Sequence, residues 1–227
     1  MTTYTPTYQS AAEINSAMGR VYGHMGLAVL TSMVVSMLVA SSQALMSFFF
    51  TGFMQWVVIF APLVAIFLIS VALNANPPKS IAVAMLHGFA ALMGLSFATI
   101  FAVYTATSIF SAFMGGAILF GVLSGYGYFT KQSLDGLGKY LFVGLIAIII
   151  ASVINIFVGS SLAQMVISAI AILIFLGLTA YDTQKIREHL LDGEATATTE
   201  ITGALTLYLD FINLFLSLLQ LFGNKKD

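Results

Sequence analysis

The side chains with the clearest chemical potential are carboxylates within or next to apolar segments. Asp210 lies in "LTLYLDFINLFLSLLQLF", residues 205–222, which is long and apolar enough to enter a bilayer. Burying an aspartate in lipid costs about 3 kcal/mol even on lenient insertion scales. A carboxyl group held there against that cost binds a proton or a cation, so we predict a functional role for Asp210. Asp182, in "GLTAYDTQKIRE" (177–188), follows another apolar segment and by itself is compatible with a helix end in water.

Other polar residues recur along the segment that contains Asp210. Thr206, Asp210, Asn213, Ser217 and Gln220 are spaced by 4, 3, 4 and 3 residues, which puts them on one face of a helix. Lipid cannot satisfy their hydrogen bonds, so this face is expected to meet protein or a water-filled cavity. We interpret the four neighbours of Asp210 as residues that line an ion path or support it.

His87 is a further ionisable candidate in an apolar segment. It has no metal-ligand spacing around it, and a lone histidine of this kind is more often a packing residue than a proton carrier. We include it among the supporting polar residues. Small residues on its own helix and on the next one predict close helix packing: Ala91, Gly94, Ala98, Gly121 and Gly125.

The composition indicates whether the chain folds in water or in a membrane. Of 227 residues, 59% are hydrophobic and 7% are charged, and the mean hydropathy is +1.00, which indicates an integral membrane protein in contact with a lipid bilayer. The chain has no cysteine and a net charge of −1 without a basic cluster. These features exclude thiolate chemistry and argue against nucleic acid as a partner.

Seven apolar runs have about the 20 residues that a helix needs to cross a bilayer. We therefore predict an all-α polytopic membrane protein with seven transmembrane helices, the seventh of them central. The predicted domains are a short tail (1–20), a transmembrane domain (21–222) and a C-terminal tail (223–227). The predicted spans are Val21–Ala40, Thr51–Leu73, Ser80–Tyr104, Ile109–Phe129, Tyr140–Val158, Leu162–Tyr181 and Ala204–Phe222. The segment "REHLLDGEATATTE" (187–200) is predicted to be a long charged loop.

The positions of lysine and arginine predict the orientation. They fall before the first span and between spans two and three, four and five, and six and seven, as Arg20, Lys79, Lys131, Lys139, Lys185 and Arg187. Because positive charge marks the cytoplasmic side, the N-terminus is predicted to be cytoplasmic. Lys225 and Lys226 contradict that rule, yet we favour a full seventh crossing over a re-entrant one. At 1.5 Å per residue, Asp210 is then roughly 9 Å deep and His87 roughly 10 Å, and both are within reach of Asp182.

Several segments resemble one known family. "GLTAYDTQKIRE" (177–188) and "GALTLYLDFINLFLSLLQLFGN" (203–224) are similar to the last two helices of the transmembrane Bax inhibitor motif family, in its bacterial YbhL/YetJ-type branch. The resemblance continues through "MGLSFATIFAVYTA" (93–106), "YGYFTKQSLDGLGKYLF" (126–142) and "IIASVINIF" (149–157), and it is looser in the first two spans.

This resemblance implies a central last helix, a bacterial inner membrane and a pH-sensitive calcium leak. It also implies a hydrogen-bonded pair of aspartates that senses pH, one ending the sixth helix and one within the seventh, at Asp182 and Asp210. Two departures concern the closed state. An arginine that latches to the sixth-helix aspartate in studied relatives has no counterpart, since Asn74 and Asn76 stand in that area. Gln220 stands where the family commonly has a second arginine.

The chemistry of such a pair follows from electrostatics. Two adjacent carboxyl groups in a low dielectric cannot both ionise cheaply, so the pair is expected to hold one proton near neutral pH. Loss of that proton creates a repulsion that either separates the helices or is relieved by a cation. Asp182, Asp210 and Asn213 offer oxygen ligands for calcium, too few for a tight site and suited to a permeant ion. No tightly bound cofactor is expected.

Other functions fit less well. Tyr181-Asp182 matches the first motif of intramembrane aspartyl proteases, but "LYL" precedes Asp210 where their second motif, Gly-x-Gly-Asp, has glycines. "GVLSGYG" (121–127) lacks the glycine-serine order and the histidine of a serine protease. We therefore expect no enzyme. A non-transporting regulator of a membrane protease or of stress survival, with a membrane-protein partner, stays open. The oligomeric state is not readable from the sequence.

Overall fold

The protein is a chain of α-helices, described here from a computed structural model that covers residues 10–192 and 196–226. Seven of the helices are long and apolar enough to cross a membrane, which confirms the predicted fold class. The helices are α1 (Ala11–Ala40), α2 (Gln43–Phe49), α3 (Met54–Asn74), α4 (Lys79–Val103), α5 (Ala106–Phe129), α6 (Asp135–Val158), α7 (Ser161–Leu191) and α8 (Ala197–Phe222).

The spans are where the apolar runs predict them, but several boundaries differ. Helix α1 begins ten residues before the predicted Val21, because Ser10 and Glu13 form a reciprocal capping box that satisfies the first amide groups. Helix α2 was not predicted; it is seven residues long and is capped by the Ser42 side chain. Most of the predicted loop 187–200 is helical, since α7 continues to Leu191 and α8 begins at Ala197.

The chain divides into two compact units. The first comprises residues up to Val103 together with Glu188–Tyr208 and Lys226, and the second comprises Tyr104–Arg187 and Leu209–Lys225. Helix α8 contributes its first half to one unit and its second half to the other. It is also the most buried span: 61% of its most apolar window is buried, against 33% or less in every other span. This burial agrees with the prediction of a central last helix.

Within the first unit, α1, α4 and the first half of α8 form the core. A Cβ on Gly94 would lie 2.5 Å from the carbonyl oxygen of Ser32, so the predicted close approach at Gly94 is present and admits only glycine. The Ser32 hydroxyl donates to the carbonyl of Ala90 at 2.8 Å and lies 2.6 Å from the hydroxyl of Tyr208. The Tyr208 ring also packs edge-on against Phe89, so α8 is fixed to both α1 and α4.

Within the second unit, the close approaches of α5 differ from the prediction. Gly121 and Gly125 have open space around them, so they do not form the predicted packing seam. The residues that do form it recur every four positions, as Ser108, Ala112, Gly116, Phe120 and Ser124. Gly121 and Gly125 come one residue after members of this seam, and one residue turns a helix by about 100°. They therefore point away from it, and Gly127 makes the closest contact, against the backbone of Ala180.

Residues at the start of α8 and after its end are bonded to the two ends of α4. At its start, Thr198 donates to the carbonyl of Pro77, just before α4 begins. After its end, the amide of Lys226 donates to the carbonyl of Val103, the last residue of α4. Helix α8 therefore runs from the beginning of α4 to its end, as the prediction of a complete seventh crossing requires.

Candidate functional site

An aspartate pair joins α7 to α8 in the second unit. The carboxyl groups of Asp182 and Asp210 are hydrogen-bonded to each other. Asp210 is 5% exposed and Asp182 is partly buried. Two carboxylates contain no hydrogen-bond donor, so this contact requires a proton on one of them. The structure therefore brings together the two carboxyl groups that the sequence singled out.

Asp182 does not end its helix, as the sequence suggested. Helix α7 continues for nine residues past it, to Leu191, so the alternative of a helix-end aspartate in water is wrong. Asp210 also lies farther from the start of its helix than expected. Helix α8 begins at Ala197, which places Asp210 thirteen residues, or about 20 Å, from the start of the helix. Both carboxyl groups are thus in helix interiors.

Among the described residues, no cation forms an ion pair with either aspartate of the pair. In the described ranges 10–192 and 196–226, neither aspartate has a lysine, arginine or histidine within ion-pair distance. Apart from the contact with Asp182, Oδ2 of Asp210 is buried and accepts no hydrogen bond in the same ranges. A full negative charge would leave this oxygen desolvated and uncompensated, which is costly in a low dielectric. The geometry therefore favours a pair that retains a proton.

The α7 segment around Asp182 is tied to its neighbours by the next three residues. Thr183 shares a hydrogen bond of 2.9 Å with Ser124 of α5. Gln184 accepts from the amide of Leu134 at 2.8 Å and donates to the carbonyl of Gln132 at 2.9 Å. These bonds hold the connection between α5 and α6 against α7, so the backbone that carries Asp182 is fixed.

Lys185 also connects α7 to a neighbouring helix. It forms an ion pair with Asp135 at the start of α6, with Nζ 2.5 Å from Oδ1. This ion pair connects α7 to the start of α6. The ring of Tyr181 packs over Gly138 of α6 in a contact that a Cβ would obstruct, and this packing adds a further restraint next to Asp182.

Three of the polar residues predicted to line an ion path bond to their own helix. Thr206 donates to the carbonyl of Thr202 at 3.1 Å, Asn213 to that of Leu209 at 2.8 Å, and Ser217 to that of Asn213 at 2.7 Å. Gln220 differs, because its Oε1 accepts from Gln164 of α7 at 2.8 Å and from Ser168 at 3.1 Å. These four side chains therefore have hydrogen-bond partners within the protein, whereas Oδ2 of Asp210 on the same stripe accepts none in the described ranges.

The accessible side of α8 coincides with much of this stripe. From Ile201 to Gln220, every residue that is not buried falls at alternating spacings of four and three, and four of these six residues are polar: Thr202, Thr206, Asn213 and Gln220. An accessible polar strip on an otherwise buried helix is typical of a helix that borders a hydrated space.

His87 belongs to the first unit. Its Nδ1 lies 2.9 Å from the hydroxyl of Thr31 on α1. This bond corresponds to the packing histidine that the sequence favoured for His87 taken alone, and the aspartate pair is built in the second unit.

A buried ion pair in the first unit was missed by the sequence reasoning. Glu200 is 4% exposed and accepts from Nε of Arg20 at 2.9 and 3.0 Å, and from its second guanidinium nitrogen at 2.6 Å. We used Arg20 only as an orientation signal and placed Glu200 in a loop. Its position in the first turn of α8 was the available signal, since carboxylates are favoured at helix N-termini.

The donor set argues against a tight metal centre. Across the described part of the chain, no three histidine or carboxylate side chains are placed to hold one ion. Asp182, Asp210 and the amide oxygen of Asn213 offer fewer oxygens than the six to eight ligands that calcium takes. This set suits brief contact with a passing cation.

Comparison with known proteins places the chain in a family. Residues 14–227 match the family described as "Inhibitor of apoptosis-promoting Bax1". The chain is 38% identical to "Inner membrane protein YbhL" of Escherichia coli (strain K12), over 96% of this chain and 95% of that protein.

Two further relatives extend the similarity across bacteria. An uncharacterized membrane protein of Streptococcus pyogenes serotype M3 is 36% identical over 96% of both chains. An uncharacterized protein of Rickettsia prowazekii is 38% identical over 92% of this chain and 89% of that protein. With seven membrane-spanning helices, a match over nearly its whole length and relatives of equal extent, the chain belongs to the Bax inhibitor family of membrane proteins.

Proposed function

We propose that the protein is a pH-sensitive cation leak, with calcium as the permeant ion and Asp182 and Asp210 as its proton sensor. The single observation that carries this proposal is the direct contact of two carboxyl groups in the interiors of two membrane-spanning helices. A structural role is a poor explanation for this contact, because an apolar pair would hold α7 to α8 at no cost in desolvation.

The proton sets the state of the pair. With one proton shared, a hydrogen bond holds α7 to α8. As the pH rises and that proton leaves, two anions face each other at short range without a cation partner in the described chain. The repulsion is relieved if the helices separate or if a cation enters, and each of these changes favours ion passage.

The helix that moves is α8. Asp182 is carried by a segment whose Thr183, Gln184 and Lys185 are bonded to α5, to the α5–α6 connection and to α6. On α8, Tyr208 before Asp210 is bonded to Ser32 and Gln220 near the helix end is bonded to α7. Between them, Asn213 and Ser217 bond within their own helix, so the turns that follow Asp210 are the part of α8 that can shift. Deprotonation therefore displaces Asp210 from a fixed Asp182.

The proposal also includes the membrane and the orientation of the chain in it. One relative is named an inner membrane protein, and the lysines and arginines cluster at one set of helix ends. Lys225 and Lys226 in the tail are the exceptions, and from the other six basic residues we infer a bacterial inner membrane with a cytoplasmic N-terminus. In this role the protein carries out no covalent chemistry and holds no tightly bound cofactor.

The test is calcium flux into proteoliposomes that contain a calcium dye, measured between pH 6 and 8. Wild-type protein is expected to leak more calcium as the pH rises. Asp182→Asn and Asp210→Asn each remove one carboxyl group and are expected to flatten this dependence. Asn213→Ala is a matched control, because it leaves both carboxyl groups in place and should keep the pH dependence even if the rate changes. A wild type that passes no calcium at any pH refutes the leak, and the regulator alternative then takes precedence.

A further inference from the structure

A cavity of about 320 Å³ lies in the second unit, at the end of α5 and α8 where the chain leaves α8. It has room for several water molecules. One wall carries four hydroxyl side chains at the start of α5, from Thr105, Thr107, Ser108 and Ser111. The opposite wall is formed by Leu218, Phe222 and the backbone of the C-terminal tail. We call this cavity the vestibule.

The C-terminal tail holds the vestibule in shape. The amide of Asn224 donates to the Ser108 hydroxyl at 2.9 Å, and the amide of Thr105 donates to the carbonyl of Asn224 at 3.1 Å. Thr105 and Ser108 are thus structural, whereas Thr107 and Ser111 are exposed. Their hydroxyl oxygens give the vestibule an uncharged, oxygen-rich wall.

The vestibule and the aspartate pair are joined by the buried seam of α5. This seam starts at Ser108 and Ala112, which line the vestibule. It ends at Ser124, whose hydroxyl is bonded to Thr183, the residue after Asp182. The two polar regions are therefore at opposite ends of one buried face of α5, which packs on α8 at Gly116 and on α7 at Ser124.

Four phenylalanines fill the space between these ends. The ring of Phe211 packs edge-on against Phe113, with centroids 5.4 Å apart, and against Phe120, with centroids 5.8 Å apart. Phe215 also packs against Phe113, at 6.2 Å. We call these four rings the phenylalanine plug. From Leu218 at the vestibule to Asp210 is eight residues of α8, or about 12 Å of helix.

We propose that the vestibule receives a hydrated cation and that the phenylalanine plug is the gate between the vestibule and the aspartate pair. An apolar constriction of this length excludes a hydrated ion until it widens. Phe211 directly follows Asp210 on α8, so any displacement of α8 that separates the carboxyl groups also moves a ring out of the plug. The gating role rests on the proposed cation leak, whereas the hydrated vestibule does not.

The first experiment tests the vestibule by cysteine labelling, since the chain has no cysteine of its own. Ala112→Cys lines the vestibule and Ala171→Cys does not, although the two alanines are almost equally buried, at 8% and 6% exposed. A cationic methanethiosulfonate reagent in detergent is expected to modify Ala112→Cys at least tenfold faster. Added calcium should slow this reaction severalfold by competing for the vestibule. Equal rates refute the hydrated vestibule, and a rate insensitive to calcium refutes cation binding there.

The second experiment tests the plug with the same reagent. Ser124 is 3% exposed and lies beyond the plug, so Ser124→Cys is expected to react slowly. Adding Phe120→Ala should raise the rate at least tenfold, while adding Phe110→Ala, a change to an exposed ring on the same helix, should not. Phe113→Ala is a second opening variant in case Phe120→Ala misfolds. Ser36→Cys, 2% exposed in the first unit, reports any general loosening and should stay slow in every background.

A Ser124→Cys rate that neither opening variant changes refutes the plug. Labelling does not require calcium flux, so the two proposals fail separately. Absence of flux from a wild type that gives the expected labelling rates refutes the leak and leaves the vestibule standing. Normal pH-dependent flux with unchanged labelling refutes the plug and leaves the aspartate sensor standing.

Discussion

At the scale of single residues, buried charge is compensated in two different ways. Glu200 has a full counter-charge in Arg20, with bonds from two nitrogens of the guanidinium group. Asp210 has only another carboxyl group. The bond between Arg20 and Glu200 joins a cation to an anion, whereas a bond between two carboxyl groups requires a shared proton. The ion pair is therefore suited to a permanent tie, and the aspartate pair is suited to a switch.

Removing Arg20 should cost more stability than removing the charge of Glu200. The side chains are 46% and 6% exposed, respectively. Arg20→Gln leaves a buried carboxylate without its partner, which is expected to cost about 1–3 kcal/mol. Glu200→Gln leaves a cation that water can solvate, and should cost under about 1 kcal/mol. The free energies of unfolding can be compared by SDS titration in mixed micelles. Equal losses of unfolding free energy in the two variants would mean that water solvates the Glu200 carboxylate once Arg20 is replaced.

The aspartate pair predicts a different dependence on pH. Its hydrogen bond requires the shared proton, so the tie between α7 and α8 is present at low pH and is lost as the pH rises through the titration of the pair. Thermal unfolding in detergent should therefore show wild-type stability falling between pH 6 and pH 8. Asp210→Asn replaces the shared proton with a permanent amide donor and should remove most of this slope. A slope that survives the substitution would assign the pH dependence to other groups.

At the scale of helices, a glycine indicates close helix packing only when it lies on the buried face of its helix. Gly127 of α5 lies against the backbone of Ala180, whereas Gly125 has nothing near its missing Cβ. The two glycines lie two residues apart on one helix, and only Gly125 was predicted from its spacing to form a close contact. Their difference follows from which side of α5 carries the seam, and that side is fixed by α7 and α8, far away in the sequence.

This difference predicts opposite effects of alanine. Gly127→Ala forces two backbones apart and should lower the free energy of unfolding by about 1–3 kcal/mol or more. Gly125→Ala adds a methyl group in open space and removes backbone freedom from the unfolded chain, so it should be neutral or stabilising by up to about 1 kcal/mol. Thermal unfolding in one detergent compares the two directly. Equal destabilisation by both would place Gly125 in a contact as well.

The sequence predicted that the seven spans are helical, but it did not predict where these helices begin and end. Apolar length alone locates seven spans, because only a continuous apolar run can meet lipid. The ends of α1, α7 and α8 lie beyond those runs, in segments with residues such as Glu13, Gln184 and Glu200. Each of these residues is bonded to a capping serine, a neighbouring connection or a distant arginine. Hydropathy treats them as loop residues, since it does not include the partner that satisfies each one.

At the scale of the whole molecule, the candidate site could be predicted from the sequence only in part. The cost of burying Asp210 was visible in the sequence, but its pairing with Asp182 was anticipated from the family resemblance and is present in the structure. The partner of Glu200 is 180 residues away, a separation that no local pattern spans. The vestibule and the plug combine α5, α8 and the tail, so they exist only once the chain is folded.

The crossing of α8 gives a topological prediction for the whole chain. The tail after α8 is bonded to the connection between α4 and α5, which must therefore be on the same side of the membrane. With each span crossing once, this side also holds the α2–α3 connection, and the α5–α6 connection is on the other side. Single cysteines at Thr51 and Lys225 should thus react with an impermeant maleimide in intact spheroplasts, whereas one at Gln132 should react only after permeabilisation. If the cysteine at Lys225 instead reacts only after permeabilisation, like the one at Gln132, α8 is re-entrant. The vestibule would then be on the cytoplasmic side, and a cation would reach the plug from the cytoplasm.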